Sequence, residues 1–462
     1  MILALDIGTS SCRAAVFGED GTRILGSLEQ LAYRVETGPE GKAVLDPNEL
    51  VVAARHCAES ARNRVGAIEA VGMSCFWHSL LGLDDAGRPL TPIYTWADAR
   101  CRFDAEALRS EIDEREVHAE TGCMLRASFW PAKLRWLKRT EPDLFSSVAR
   151  WISPAEWVRS QFTGSMTCAV GMATGTGLFD PTALRWSKRM LDVCGVRLDQ
   201  LSRVSDEPDD WGGARFFPGI GDGAASNLGS GATRPGRAAI NFGTSAALRV
   251  MRDGVEARAP YGLFAYRVDD RRFLTGGAVS NAGNLFAWCR RELQLPGDDA
   301  TESALSARET PEHGLTVLPF WNAERAPRWN EDDTGAVIGI RQATTALDLT
   351  QAIQEATFYR LAAIAEAMGR PDETKWIVSG GILNSGSALR RLASVLGSPV
   401  FANPEPEASL RGAAVFALEK LGIEVPTQEE ALAVPPDAEV HARYAEERAR
   451  QSKLEALLDD WR

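Results

Sequence analysis

Residues 2–17 read Ile2-Leu3-Ala4-Leu5-Asp6-Ile7-Gly8-Thr9-Ser10-Ser11-Cys12-Arg13-Ala14-Ala15-Val16-Phe17. The apolar run Ile2 to Leu5 predicts a buried strand stopped by Asp6 and Gly8, and Cys12 to Phe17 predicts a second, so the stretch reads as a hairpin. A tight turn of this composition exposes backbone N–H groups, glycine lets an anion approach, and the hydroxyls of Thr9 and Ser10 add donors. Such a turn can hold phosphate without a Walker lysine. Asp6, at the strand end, is placed to fix a magnesium ion through water, because Mg2+ takes carboxylate and water ligands beside nucleotide phosphates. Arg13 either lies near the same phosphates or pairs on the surface. The alternative use of the whole segment is an ordinary β-turn with an Asp cap.

The pattern returns later. Ala238 to Val250 is a second strand–turn–strand, and Asn241-Phe242-Gly243-Thr244-Ser245 lines up with Asp6-Ile7-Gly8-Thr9-Ser10. Two related halves, each with a Gly-Thr-Ser turn, suggest an internal duplication across a cleft. The length, 462 residues, suits two sizeable domains better than one core. Glycine becomes dense over 212–236, which marks the expected junction.

A net charge of −12 argues against a nucleic-acid-binding surface. The eight cysteines include no C-x-x-C pair or zinc spacing, so buried free thiols in a reducing cytosol are expected. The N-terminal apolar run spans only about five residues without a basic region, and no stretch approaches the roughly 20 apolar residues of a membrane span. A cytoplasmic protein with no membrane partner follows as the expectation, and an exposed apolar helix face would support a homodimer.

Further elements are predicted as helices over 48–64, 131–138, 154–162, 281–294 and 348–368, and as strands over 67–74 and 376–379. Residues 315–341 read as strand and loop, and a helix starts near Ser387. The charged stretch 439–460 reads as one amphipathic, solvent-facing helix.

Three more segments carry chemistry. In Gly219-Ile220-Gly221-Asp222-Gly223-Ala224-Ala225 a carboxylate flanked by glycines opens a small-residue helix. A base for phosphoryl transfer needs a carboxylate within reach of the attacking hydroxyl, and Asp222 suits that task. A helix start favours the ionised form, so orienting the hydroxyl matters more than basicity; a plain helix cap is the competing use. Gly380-Gly381-Ile382-Leu383-Asn384-Ser385 follows a buried strand, and its paired glycines would let an adenine or ribose lie on backbone. Gly276-Gly277 and Asn281-Ala282-Gly283-Asn284 form a similar candidate. Phe76-Trp77-His78-Ser79 with Trp96-Ala97-Asp98-Ala99-Arg100 joins aromatic faces to polar groups, a mixture that fits a polyhydroxylated ligand or a packed aromatic core.

Taken in order, DIGTSSCRAAVF, TWADAR, TGLFD (176–180), GIGDGAASNLG, INFGTSAALR, LPFWNAERAPRWN (318–330), GAVIGIRQATTALDLTQAIQEATF (335–358), SGGILNSG and SLRGAAV (409–415) resemble the FGGY carbohydrate kinases. The resemblance implies an α/β fold of two actin/hexokinase-like (ribonuclease H-like) domains with a central cleft: a sugar-side domain over 1–230, a nucleotide-side domain over 231–430, and the charged helix over 431–462. It implies transfer of the γ-phosphoryl group of ATP, with Mg2+, to a sugar hydroxyl. By position, Asp222 becomes the base and Asp6 the magnesium-region carboxylate. Thr9, Ser10 and Arg13 fall at the phosphates, and Gly243 and Thr244 at the γ- and β-phosphates. Gly283, Gly381, Asn384 and Ser385 line the nucleoside, while Trp77, His78 and Asp98 face the sugar.

Within the family, residues 78–100, 173–186 and 261–284 most resemble gluconate kinases. Where that group has Ala-Met-His-Ser, this chain has Phe76-Trp77-His78-Ser79, an indole in place of a thioether. Two family signatures also fit imperfectly, around Phe129 to Leu137 and at Gln354. The implied acceptor is a small sugar or sugar acid. For gluconate a cation must meet the carboxylate, with Arg100 and Arg126 as candidates. A xylulokinase-like ketose kinase, a silent sugar sensor and an actin-like ATPase are the rival readings.

Overall fold

The first strand, Ile2–Ile7, is buried throughout and apolar except at Asp6, as suits a strand covered on both faces. In the computed structural model, which describes all residues except 309, 370–373, 429–432 and 460–462, it pairs antiparallel with Ser11–Phe17 and parallel with Ala70–Cys75. The chain forms two units: one of Met1–Gly231, Met251–Thr275 and Glu407–Thr427, the other of Ala232–Val250, Gly276–Pro406 and Gln428–Arg462. Within the stretch 231–430 set out from the sequence, two segments therefore join the first unit, and the charged C-terminal helix belongs with the second.

In the first unit the sheet runs Asp209–Trp211, Ala214–Phe216, Ala70–Cys75, Ile2–Ile7, Ser11–Phe17, Glu29–Ala32, with Ile220–Gly221 added beside Ala70–Cys75. Helix Pro47–Arg62 packs on it through Leu50, Ala53, Ala54, Cys57 and Ala61, a three-to-four spacing that puts one apolar stripe inward. Asp46 caps this helix by accepting the N–H of Asn48, and Pro47 fits its first turn. Helix Ala408–Lys420 also packs on the sheet; its backbone comes so near that a Cβ on Gly72 would lie 2.0 Å from the Ala413 oxygen.

The second unit repeats the hairpin-plus-parallel-strand plan. Arg237–Phe242 turns antiparallel into the strand beginning at Ala246 and pairs parallel with Lys375–Gly380, which pairs parallel with Val400–Ala402. Helices Gly283–Glu292, Ala346–Ala367 and Gly386–Leu396 accompany this sheet.

The C-terminal helix, Ala438–Asp459, differs from the solvent-facing element expected. Val440, Tyr444, Gln451 and Leu454 are buried; the Tyr444 hydroxyl donates to Glu355 at 2.9 Å and the Gln451 amide to the Val317 oxygen at 2.8 Å. Its abundant charge hides a stripe recurring at helical spacing. Among the described residues no helix is long and apolar enough to cross a membrane.

Candidate functional site

Register brings the first unit's chemistry together. Ile7 pairs with Cys75, and Cys75 with Gly221, so three parallel strands end level. The next residues, Gly8, Phe76 and Asp222, leave the sheet side by side, at the carboxyl edge where open α/β sheets bind ligands. Asp6 is 2% exposed, and its Oδ2 accepts from Arg13 Nη2 at 2.6 Å. Arg13 also binds Glu407 at 2.6 Å, so the sequence alternative of a surface pair becomes a carboxylate–guanidinium–carboxylate chain. Asp222 opens helix Asp222–Gly229, and its Oδ1 accepts from the N–H of Gly223 at 2.7 Å. Both carboxylates act on one thiol: burial pushes Cys75 far above the usual range, and Asp222 and then Asp6 push it further.

The Gly8 N–H donates to the Ser11 oxygen at 2.9 Å, closing the first turn, and Thr9 Oγ1 accepts from Trp96 Nε1 at 3.2 Å. Ser10 is exposed. Trp77 is buried, with Nε1 donating to the Gly171 oxygen at 3.0 Å. His78 sits at φ 65°, a left-handed conformation uncommon for a side-chain-bearing residue, and its Nδ1 meets the Gly175 oxygen. Its ring packs edge-on against Phe129 at 4.7 Å and against Tyr266 at 5.5 Å. Asp98 is buried and grips Arg100 through both oxygens, at 3.0 and 2.6 Å. The Arg100 guanidinium lies over Trp136, 4.5 Å from the ring centre, and Arg126 is paired with Glu114. Both cations considered for a substrate carboxylate thus already hold acidic partners.

In the second unit Phe242 pairs with Gly380, so Gly243 and Gly381 leave adjacent parallel strands together. They open onto a cavity of about 530 Å3, also lined by Gly283, Asn384 and Ser385, with Phe286, Ile353 and Phe358 among its apolar walls. That size and lining, apolar with a few polar groups, is typical of a cofactor pocket. The turn is held against the helix start: Gly283 N–H donates to the Gly243 oxygen and Asn284 N–H to the Thr244 oxygen, each at 3.1 Å. A Cβ on Gly283 would fall 2.5 Å from the Gly243 oxygen. Thr244 itself is exposed. Ser385 caps helix Gly386–Leu396 by accepting the Ala388 N–H.

Several residues escaped the sequence reading. Glu302 lines the cavity from helix Asp298–Ser306, an element not anticipated; it accepts from Ser385 Oγ at 2.7 Å, Ser387 N at 2.9 Å and Ser387 Oγ at 3.0 Å. Burial opposes its ionisation, yet these donors hold the carboxyl below its usual range. Glu407 and Tyr266 were not singled out, because each meets the site across a long stretch of chain: Glu407 binds Arg13 and the Tyr266 ring packs on His78.

Among the described residues, acidic side chains that converge closely enough to hold a metal unaided are Glu324, Asp333 and Glu455. Arg328 and Arg360 already pair with them. Asp6 offers one carboxylate with a single oxygen engaged by Arg13. That suits a water-mediated contact to a phosphate-borne Mg2+, which keeps several waters and seldom uses an all-protein cage.

Two family descriptions match the chain: the N-terminal domain of the FGGY family of carbohydrate kinases over residues 1–212, and its C-terminal domain over residues 238–420. The gluconokinase of Bacillus subtilis (strain 168) is 26% identical over 453 residues, covering 91% of this chain and 88% of the relative. Glycerol kinases and a xylulose kinase also match, for example at 29% and 23% identity. Among solved structures, gluconate kinase from Lactobacillus acidophilus superposes with a TM-score of 0.92 at 22% identity, covering 99% of this chain and 98% of that one. Plasmodium falciparum glycerol kinase with ADP gives 0.86 at 17% identity, covering 98% and 97%. These structural likenesses establish the fold.

Proposed function

Because this chain belongs to the FGGY family of carbohydrate kinases, ATP-using phosphotransferases, we propose that it phosphorylates a hydroxyl of gluconate or a closely related small sugar acid. The observation that carries the reading is the level ending of three strands that delivers Asp6, the Gly8-Thr9-Ser10 turn and Asp222 to one edge. The likeness to a gluconokinase supports the acceptor.

In this reading the second unit holds ATP. Gly243 and Thr244 bind phosphate, and Gly283, Gly381, Asn384 and Ser385 line the nucleoside, where glycine lets the ligand rest on backbone. In the first unit Thr9, Ser10 and Arg13 meet the transferred phosphate, and His78 and Asp98 bound the acceptor, while the indole of Trp77 is packed behind them. Asp222 accepts a hydrogen bond from the attacking hydroxyl, aims its lone pair at the γ-phosphorus and takes its proton as the bond forms. Asp6 would hold Mg2+ through water, and the ion would neutralise charge on the phosphates. The eight cysteines are free and buried, which suits a cytoplasmic enzyme.

A second reading, a kinase for a neutral ketose such as xylulose, is favoured by one observation. Arg100 and Arg126 are each already paired with a buried or half-buried carboxylate. An ADP-release screen over aldonates, ketoses and glycerol separates the two: fastest turnover on gluconate supports the first reading, and turnover confined to neutral acceptors replaces it with the second.

A further inference from the structure

Trp77 is 5% exposed, and its indole N–H is spent inside the protein on the Gly171 oxygen at 3.0 Å. A tryptophan that stacks on a sugar needs an open ring face. This one instead lies in a slot cut by glycines. A Cβ on Gly175 would stand 2.4 Å from its Cδ1, and a Cβ on Gly221 would stand 1.8 Å from Cε2 and 2.1 Å from Cζ2. Neither glycine is there for its conformation: Gly221 has φ −67°, ψ 146° and Gly175 has φ −76°, ψ −3°, values open to any residue. What both positions require is the absence of a side chain, and what excludes the side chain is the indole.

Gly221 is the residue before Asp222, and it pairs in register with Cys75, two residues before Trp77. The indole and the carboxylate thus share one short backbone link, with the ring pressed on its first member. We propose that Trp77 is a positioning residue: wedged against Gly221, it fixes where the Asp222 carboxylate stands. This rests on the reading of Asp222 as the group that orients the acceptor hydroxyl. Displacement of a catalytic group by about 1 Å can cost about a hundredfold in rate, so a wedge of this kind acts on turnover rather than on nucleotide binding.

The test measures kcat and KM for ATP and acceptor in the full-length enzyme, using whichever of gluconate, xylulose or glycerol gives the fastest ADP release. Trp77→Met, which replaces the rigid ring on Gly221 with a smaller, flexible chain, should lower kcat at least tenfold with the KM for ATP within twofold of wild type. Trp77→Phe keeps a ring on Gly221 and should recover most of that loss. Gly221→Ala should lose more than Trp77→Met, and the double variant Trp77→Met/Gly221→Ala should regain at least tenfold over Gly221→Ala, since the smaller, flexible chain yields to the new methyl. Wild-type kcat in Trp77→Met overturns the proposal, as does a folded double variant no faster than Gly221→Ala. Should Gly221→Ala not fold, the Met and Phe variants decide alone. A fully active Asp222→Asn enzyme removes the underlying reading, whereas an inactive Asp222→Asn beside an unimpaired Trp77→Met removes this inference only.

Discussion

Arg411 donates through Nη1 to the carbonyl oxygen of Gly229 at 2.9 Å, at the far end of the helix that Asp222 begins. A cation there satisfies an orphan carbonyl and opposes the helix dipole. Its Nε donates to the Gly21 oxygen at 3.0 Å, and the side chain is 3% exposed. The two helices touch through backbone: a Cβ on Gly229 would meet the Ala408 oxygen at 1.7 Å, and one on Gly412 the Ala225 oxygen at 1.7 Å. Arg411→Met should therefore cost about 3 kcal/mol by leaving buried carbonyls unpaired. Gly412→Ala should cost more. Denaturant midpoints at fixed m-value check both.

Thr244→Val should separate folding from catalysis. The structural work of Thr244 is done by its carbonyl, which accepts from Asn284, and valine keeps that bond. Loss of the hydroxyl should lower kcat by about 100- to 1,000-fold, the cost of one preorganised donor to charge developing in the transition state. The melting temperature should stay within a few degrees, since surface changes usually shift stability by about 0.5 kcal/mol or less. A large drop in melting temperature would assign the hydroxyl to the fold.

Glu302 ties Ser385 and Ser387 to the cavity rim through three accepted hydrogen bonds. Glu302→Gln can satisfy only part of that set. The KM for ATP should rise about tenfold, as for loss of a charge-assisted bond of roughly 1.5 kcal/mol, with the KM for acceptor unchanged. The carboxyl is held below its usual range, so its contribution is present above about pH 4.5 and is lost as pH falls through the folded-state value.

Glu324 runs the other way. It is 4% exposed, paired with Arg360, and faced by Arg328, Asp333 and Glu455. Burial pushes its pKa up to about 7; Arg360 opposes this and Glu455 adds to it. Between about pH 4.5, its unfolded value, and 7 the folded chain holds a proton that the unfolded chain has released. The contribution of Glu324 to stability therefore falls as pH rises through that window. Glu324→Gln should flatten the decline measured as urea midpoints from pH 5 to 7.5.

The strands and turns around Asp6, Asp222, Gly243 and Gly381 were legible because each is announced locally, by an apolar run ending in glycine and a hydroxyl or carboxylate. Their neighbours were not. That Gly221 ends level with Ile7 depends on the register of Ala70–Cys75, which no local pattern specifies. Glu302 and Arg411 act across 83 and 182 residues of sequence, so their partners were invisible even where, as in Ser409-Leu410-Arg411-Gly412, the motif itself stood out. Trp77 illustrates a different limit. An indole among polar residues reads as a ligand platform, and only the glycines converging from 171, 175 and 221 reveal it as packed. In the C-terminal helix, charge dominated the composition, while Tyr444 and Leu454 set the packing.

In the proposed reaction, Asp222 is the group on which phosphoryl transfer depends. Asp222→Asn keeps size and the helix start but removes the anion that aims the hydroxyl. Phosphoryl transfer from ATP, followed as ADP release with the preferred acceptor, should be abolished, while acceptor affinity measured calorimetrically stays within a few fold. Turnover at the wild-type rate in that variant would contradict the account.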